Sequence, residues 1–555
     1  MPPVSIWKSS VVSSGSETRI ELNEVLDYGQ QEMKQSGHTL KNKNSDVKNV
    51  LIWAVSTTWL FRIISAANGI IAMPIVIGTL GKTEYGIWAA IGQTASFLQL
   101  TQFGIGNAVG RLVARCRGLG NGKMLSEVYS TATILICGSA ILAAVLVLAL
   151  SPWIGNILKL DESYAGLATR VFLIIALSQV VQLPMKLSVG VLTGHQLYGP
   201  HTIGKILTIL LHLSGVLILF FTKHLDIVSL ATVHASAAIV GQSMLMIVAW
   251  RLTGPWNISI SNFSKRSFKE LTSIGSSSLV TTMGNIGYRA GLSILLARMV
   301  NINAVGIYNV ALTILENIRP LISSLSTPFS TIASELQAKD QFGKLRQSAN
   351  AITTVTFAVS IGLVVFLYFY SIPVLGLLLR KTSWTFADFS QARTALIIMS
   401  FSLALGLPQI VSRQILQGTG KHWYTSNALL ISSLSSLLVT FVLLKLELGI
   451  IAPAVGWSTV WVLQGVVFLP WVITKHIGQS IGNMLRICYV PGVSIGVITF
   501  CEAFIVTRFV HCETLPYLFI NLILTGMTLI SAIIVFSGVG KRMLLFLKTR
   551  KISNG

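Results

Sequence analysis

From Val50 to Leu80 the chain runs for roughly thirty residues with one full charge, Arg62, and a bilayer core of about 30 Å needs only some 20 apolar residues to be crossed as a helix. A tight turn follows at Leu80-Gly81-Lys82-Thr83-Glu84-Tyr85-Gly86. A second apolar run then reaches Phe103-Gly104-Ile105-Gly106 and closes on Arg111, Arg115 and Arg117. This is the pattern of a membrane-spanning hairpin. Arg62 falls near the middle of its first arm, where a charge costs at least about 2.5 kcal/mol on insertion scales. The fold has to supply that guanidinium with a polar neighbourhood.

The same pattern continues along the chain. Of 555 residues 52% are apolar and 11% charged, which excludes a soluble globular protein of ordinary composition. Counting apolar runs predicts about fourteen transmembrane helices in an all-α polytopic membrane protein. The net charge of +22 would suggest nucleic acid in a soluble protein. Here the basic residues concentrate in alternate short loops, by about three to one over the opposite loops, so they set orientation and no nucleic-acid partner is expected. An even number of spans places both termini in the cytoplasm. The five cysteines, Cys116, Cys137, Cys488, Cys501 and Cys512, lack metal-ligand spacing and are expected to be small buried hydrophobes. No metal site or cofactor is expected. Most of the nine histidines are expected at solvated loops.

An internal repeat organises the spans. Tyr85-Gly86-Ile87-Trp88 recurs as Val305-Gly306-Ile307-Tyr308, and Leu192-Thr193-Gly194 recurs as Leu416-Gln417-Gly418. Six helices per unit is an even number, so the two units share an orientation and are related by an axis along the membrane normal. The expected domains are a largely disordered cytoplasmic tail (1–49) with a short helix near Ile20 to Leu26, a six-helix bundle (50–250) and a cytoplasmic linker (251–270). A second six-helix bundle (271–474), two additional helices (475–538) and a cytoplasmic tail (539–555) complete the chain.

Charges inside the spans are few and mainly cationic: Arg62, Arg170, Arg289, Arg319 and Arg393 against Glu316 and Glu502. Ionisable groups in lipid face a bundle interior or one another, so these mark a cleft between the two bundles. Thr58, Arg62, Ser65 and Asn68 fall on one helical face. Thr281, Asn285 and Arg289 form a second stripe, and Asn309, Thr313, Glu316, Pro320 and Ser323 a third. Glu316 and Arg319, three residues apart, can equally form a neutral structural pair. Arg170 and Arg393 sit near span ends, where snorkelling accounts for them as well as function does. Guanidinium stays charged and matches phosphate oxygens two at a time, so a cleft rich in arginine suits a phosphate-bearing anion.

The turn at Leu80 to Trp88, Phe103-Gly104-Ile105-Gly106-Asn107-Ala108, Val191-Leu192-Thr193-Gly194-His195-Gln196 and Val305-Gly306-Ile307-Tyr308-Asn309-Val310-Ala311 together resemble the Wzx-type flippases of O-antigen and other lipid-linked oligosaccharides. These belong to the multidrug/oligosaccharidyl-lipid/polysaccharide exporter superfamily. The resemblance covers residues 48 to 480. It implies an alternating-access carrier in the bacterial inner membrane, taking an undecaprenyl-diphosphate-linked oligosaccharide from the cytoplasmic to the periplasmic leaflet. It also implies a driving force from membrane potential or an ion gradient, and partnership with polysaccharide polymerase and chain-length machinery. Arginines line the cavity in that family, which favours Arg62 and Arg289. Where many members carry an aspartate in the seventh span, this chain has Arg289.

Two alternatives remain, the first from the same superfamily and the second from another class. A cation-coupled multidrug exporter would want acids in the cleft, and Glu316 is the central one. A membrane polymerase or glycosyltransferase would want a cluster of acids or a metal set on a large loop, and the loops between spans are short and carry none. No Gly-Lys-Ser/Thr phosphate loop is present either, so the chain is not expected to be an enzyme.

Overall fold

The computed structural model describes residues 17–326, 329–379, 384–509 and 515–536. Pro328, Cys512 and the basic residues expected in the C-terminal tail lie outside them. Contacts divide the chain into residues 1–58 and residues 59–555. In the first unit the described residues are helical from Glu17, well before and beyond the short helix expected near Ile20 to Leu26. Glu17 to Asn44 contains no proline and is rich in Leu, Glu, Gln and Lys, all good helix formers.

The second unit is helical throughout, with no strand among the described residues. Ten of its segments are long and apolar enough to cross a membrane, and the difference from fourteen has a physical cause. Segment Ser56–Gln102 holds two spans that reverse at Gly81, whose φ of 73° and ψ of −175° no helix permits. Helices Lys265–Ile286 and Ile302–Ser323 reach spanning length, but the first is rich in serine and threonine and the second carries Asn309, Glu316, Asn317 and Arg319. The last helix, Leu515–Phe536, contributes a shorter apolar stretch. The spans that fall short on hydropathy in the middle of the chain are those that turn polar faces inward. The protein is therefore a multi-pass, all-helical membrane protein.

The second expected span is interrupted. Phe103 and Gly104 both adopt left-handed backbone (φ 46° and 67°), and a separate helix, Ile105–Gly118, starts there. A Cβ on Gly104 would come within 2.6 Å of the Gly275 carbonyl oxygen, so glycine is required by both conformation and space.

The repeat seen in the sequence is visible as matched contacts. A Cβ on Gly86 would stand 2.2 Å from the carbonyl oxygen of Ile302, and one on Gly306 would stand 3.1 Å from the carbonyl oxygen of Lys82. Ile302 and Lys82 are themselves 220 residues apart, as are the two glycines. Equivalent glycines of the repeat therefore face equivalent carbonyls, the close approach of backbones that small residues permit. Within the bundles the match repeats. Gly194 approaches the Gly110 carbonyl, and Gly418 approaches Ser334 and the Ser330 carbonyl. The two appended helices pack on Phe342–Leu379, where Gly492 and Gly496 meet Phe357 and Ile361, and Gly362 meets Leu529.

The linker between the bundles is anchored. Ser130 Oγ accepts from the Ser259 amide at 3.1 Å, Thr131 Oγ1 accepts from the Ser264 amide at 3.1 Å, and Trp256 is buried beside Tyr129. Two expectations need correction. Cys137 and Cys501 are exposed on helix surfaces, whereas Cys116 and Cys488 are buried; all four are free. His201, His212 and His234 lie inside spans, not in loops.

His195, just past Gly194, does sit between spans, with Nε2 3.2 Å from the Tyr129 hydroxyl. Burial, and then the charge of Arg117, holds its imidazole below the ordinary value of 6.5. A group with a depressed folded-state pKa binds fewer protons folded than unfolded, so its neutral form stabilises the fold above about pH 6.5 and that stability is lost as pH falls below it. His195→Asn is expected to shrink the drop in melting temperature between about pH 7.5 and 5.5. An unchanged drop would remove His195 from the acid response.

Candidate functional site

The polar stripe on the first span faces the helix Ile302–Ser323. Gly69, next to Asn68, leaves so little room that a Cβ there would lie 2.6 Å from Asn317 Nδ2. Arg62, Ser65 and Asn68 are half-buried, and the Arg62 Nε and Asn68 Oδ1 atoms are buried without a hydrogen-bond partner. Thr58 is the last residue of the first unit.

Arg289 lies in a single π-helical turn, Gly287–Gly291. Such one-residue widenings recur at functional sites, because they re-aim a side chain without ending the helix. Gly287 and Gly291 press against Ser433 and Leu437 of helix His422–Lys445, and Tyr288 is buried at 1% exposure. Arg289 Nη2 lies 3.6 Å from Glu316 Oε2, and Arg319 Nη2 donates to that same oxygen at 2.6 Å. Two guanidiniums thus converge on one carboxylate oxygen, and Glu316 Oε1 is buried with no hydrogen-bond partner. The Arg319 guanidinium also lies 5.5 Å over the Trp461 ring, a cation–π contact.

Two further cations join this group. Arg413 donates through Nη2 to Gln464 Oε1 and stands in the field of Arg319, as does Arg62. Lys205 stands in the field of Arg62, with Nζ 5.7 Å from the Phe61 ring. Sequence reading assigns both to cytoplasmic loops because each borders the apolar core of its span, Lys205 before it and Arg413 after it. The missed signals are the break at Leu407-Pro408-Gln409, which re-aims the helix carrying Arg413, and the buried Gln464 that receives it. Two cations therefore hold the Glu316 carboxylate, Arg62 and Arg413 neighbour Arg319, and Lys205 neighbours Arg62.

Other expected site residues go elsewhere. Arg170 is exposed near the start of its helix and makes no ion pair among the described residues. Arg393 donates to Ser371 Oγ at 3.2 Å and the Tyr368 carbonyl at 3.4 Å, tying two helices of the second bundle together. Asn285 donates to its own helix at Thr281, and Thr281 bonds Ser426 at 2.8 Å, so that stripe is used in packing up to Arg289. Asn309 donates to the Tyr85 hydroxyl at 3.1 Å and joins the two bundles.

Polar contacts tie the first bundle to the linker and the second bundle at both ends. Lys82 Nζ meets Asp388 Oδ2 at 2.6 Å beside the Gly86 contact, and the same Asp388 caps its helix with Thr385. At the opposite end Arg111 Nη1 is 3.2 Å from His422 Nε2, and Arg115 Nη1 is 3.4 Å from Glu270 Oε2.

The family model described as polysaccharide biosynthesis protein matches residues 51–331. The chain belongs to that family. A second model, MatE, matches residues 278–442. No curated protein matches in sequence. Among solved structures, the lipid II flippase MurJ in an inward closed conformation shares 16% identity over 89% of this chain and all of its own, with a TM-score of 0.65. An inward-facing multidrug resistance MATE family transporter of the MOP superfamily shares 14% identity over 76% of this chain and 98% of its own, with a TM-score of 0.64. A MOP superfamily transporter from Pyrococcus furiosus, described as having a binding pocket of reversed polarity, shares 14% identity over 75% of this chain and 96% of its own, at 0.52. At these identities the likeness is one of fold.

Proposed function

We propose that this polysaccharide biosynthesis family member is a flippase for an anionic oligosaccharide carried on a polyprenyl diphosphate. It would work by alternating access between the cytoplasmic and outer leaflets of the bacterial inner membrane, with both termini in the cytoplasm. The observation that carries the reading is the cationic surplus linked through Arg319 and Arg62 to the Glu316 ion pairs. Arginines whose hydrogen-bonding capacity is unfilled suit a diphosphate, whose oxygens accept charge-assisted bonds from several donors at once. The sugar can remain in the aqueous space and the polyprenyl tail in lipid while the head crosses between the bundles.

The direction is favourable. A cargo with two net negative charges leaving an inside-negative cell gains roughly 4 to 5 kcal/mol at 100 mV, so export needs no nucleotide. A cation-coupled drug exporter fits less well, because the one central acid is already held by two arginines.

Arg62→Ala and Arg289→Ala are each expected to abolish complementation of a deletion strain while inserting normally. In that strain the lipid-linked intermediate is expected to accumulate on the cytoplasmic leaflet. Accumulation on the outer leaflet would point to a later step and overturn the reading, and full activity of both variants would remove those arginines from it.

A further inference from the structure

Opposite the basic loops, at the end of the protein where Lys82 meets Asp388, a cavity of about 490 Å³ opens in the second bundle, with Lys82 of the first bundle on its wall. One side comes from a single face of helix Phe386–Gly406, where Asp388, Gln391 and Thr394 fall three residues apart and Ser390 lies beside them. Asn303, in the first turn of Ile302–Ser323, forms a second side, and the turn at Glu447 a third. Ser390, Gln391 and Glu447 are exposed, so the cavity opens to water. Asn303 Oδ1 is buried with no hydrogen-bond partner. Native folds leave few such atoms unpaired, so one on a cavity wall marks a place where a polar occupant completes the bonding.

The internal repeat supplies a control. Helices that start at Glu162, Tyr198 and Ile227 in the first bundle recur at Phe386, His422 and Ile451, each 224 residues later. At the same offset Lys223 and Glu447 share a left-handed backbone, with φ of 60° and 61°. Ser390, Gln391 and Glu447 therefore stand where the first bundle has Gly166, Leu167 and Lys223. The same helices are built at the matching place without a hydroxyl, a carboxamide or an acid. The fold does not require these groups, which leaves them free to serve a ligand.

We propose that this cavity binds a saccharide at the outer face. Carboxamides and hydroxyls both donate and accept hydrogen bonds, as sugar hydroxyls do, and the Glu447 carboxylate accepts from them. The cavity does not suit the diphosphate: one cation, Lys82, stands against two acids, Asp388 and Glu447, and like charges at an interface are rejected. It does not suit a metal ion either. Asp388 Oδ2 already accepts from Lys82 and from the amide and hydroxyl of Thr385, and among the described residues no three acids, histidines or cysteines gather to hold one. The volume falls within the range of about 300 to 1,000 Å³ usual for small-molecule sites, which gives room for a sugar ring. The arginine cluster and this cavity thus divide the cargo, the first holding its charged head and the second receiving its sugar as it leaves. That last assignment rests on the flippase reading, whereas the saccharide site stands on its own lining.

The test places a photoreactive benzophenone amino acid in the full-length protein in place of Gln391, which is exposed and tolerates the change, or of Thr394. Cells that make their own lipid-linked oligosaccharide are irradiated, and the adducts are weighed before and after mild acid, which cleaves the bond between sugar and diphosphate. A glycan mass that survives acid is expected at both positions, several-fold above the same probe in place of Leu167 in the first bundle. A prenyl mass without sugar, or adducts no stronger than at Leu167, would overturn the site. Before acid the adduct is expected to carry the polyprenyl diphosphate as well; a glycan without it would be a free saccharide, which keeps the site and overturns its link to export. Glu447→Lys, which installs the residue of the first bundle, is expected to cut the glycan adduct at Gln391 several-fold, and an undiminished adduct would remove Glu447 from the site. Adducts from a probe in place of Ser65, on the helical face of Arg62, with none at Gln391 or Thr394 would overturn the sugar site and leave the flippase reading intact. The reverse pattern would keep the site and count against that reading, and no adduct at any position would overturn both.

Discussion

Alanine at position 86 is expected to abolish export from a protein that still reaches the membrane. Its Cβ would stand 2.2 Å from the Ile302 carbonyl oxygen, a backbone atom that cannot rotate away, so the two bundles would have to part at this point. Overpacking of this kind costs about 1 to 3 kcal/mol and occasionally more. A carrier whose states differ by a few kcal/mol would then change their ratio by roughly five-fold to more than a hundred-fold. Gly306→Ala, with 3.1 Å to the Lys82 carbonyl, is expected to be milder although its glycine is the repeat partner. The measurement is labelling of a cysteine placed at Asn303 in a cysteine-free background by an impermeant maleimide. Gly86→Ala should raise labelling together with the loss of activity. Unchanged labelling and full export would show that this contact does not close the outer side.

Glu316→Gln is expected to lower the melting temperature by several degrees, with a cost of about 3 to 5 kcal/mol, because it strands cations that a half-buried carboxylate holds together. Glu316 is 12% exposed, and Arg289 and Arg319 share one of its oxygens. If the same cations receive a diphosphate, inorganic pyrophosphate should return stability, by about 2.7 kcal/mol at a hundredfold excess over its dissociation constant. The rescue should be larger in Glu316→Gln than in wild type, since a competing anion has been removed. A variant as stable as wild type would mean that the three side chains do not form an ion cluster.

Apolar runs and the recurring glycines carried most of the architecture, because in lipid a helix is set by length and hydropathy and a close backbone approach by small residues. The same logic hid part of the site. Lys205 and Arg413 border the apolar cores of their spans, where a cation reads as a loop residue; the turn at Pro408 and the hydrogen bond from Arg413 to Gln464 depend on tertiary packing. Helical spacing identified the face holding Arg62, Ser65 and Asn68. It overreached at Thr281 and Asn309, whose polar groups are taken up by Ser426 and Tyr85. A polar stripe in a membrane helix serves an interface as readily as a cavity, and spacing along one helix does not reveal which partner lies opposite. Arg393 shows the same gap, because its partners Ser371 and Tyr368 come from another helix.

The central cations also make the molecule sensitive to voltage. Arg62 and Lys205 ride on one bundle and Arg289, Arg319 and Arg413 on the other. Each charge carried through the whole field is worth about 2.3 kcal/mol per 100 mV, and partial displacement a proportionate fraction. If the two bundles rock as the proposed mechanism requires, the movement performs electrical work even when nothing is bound. In the proposed cycle an inside-negative membrane would draw the vacant guanidiniums inward and a bound anion would offset part of that pull, so the loaded stroke would run under a smaller electrical load than the empty one.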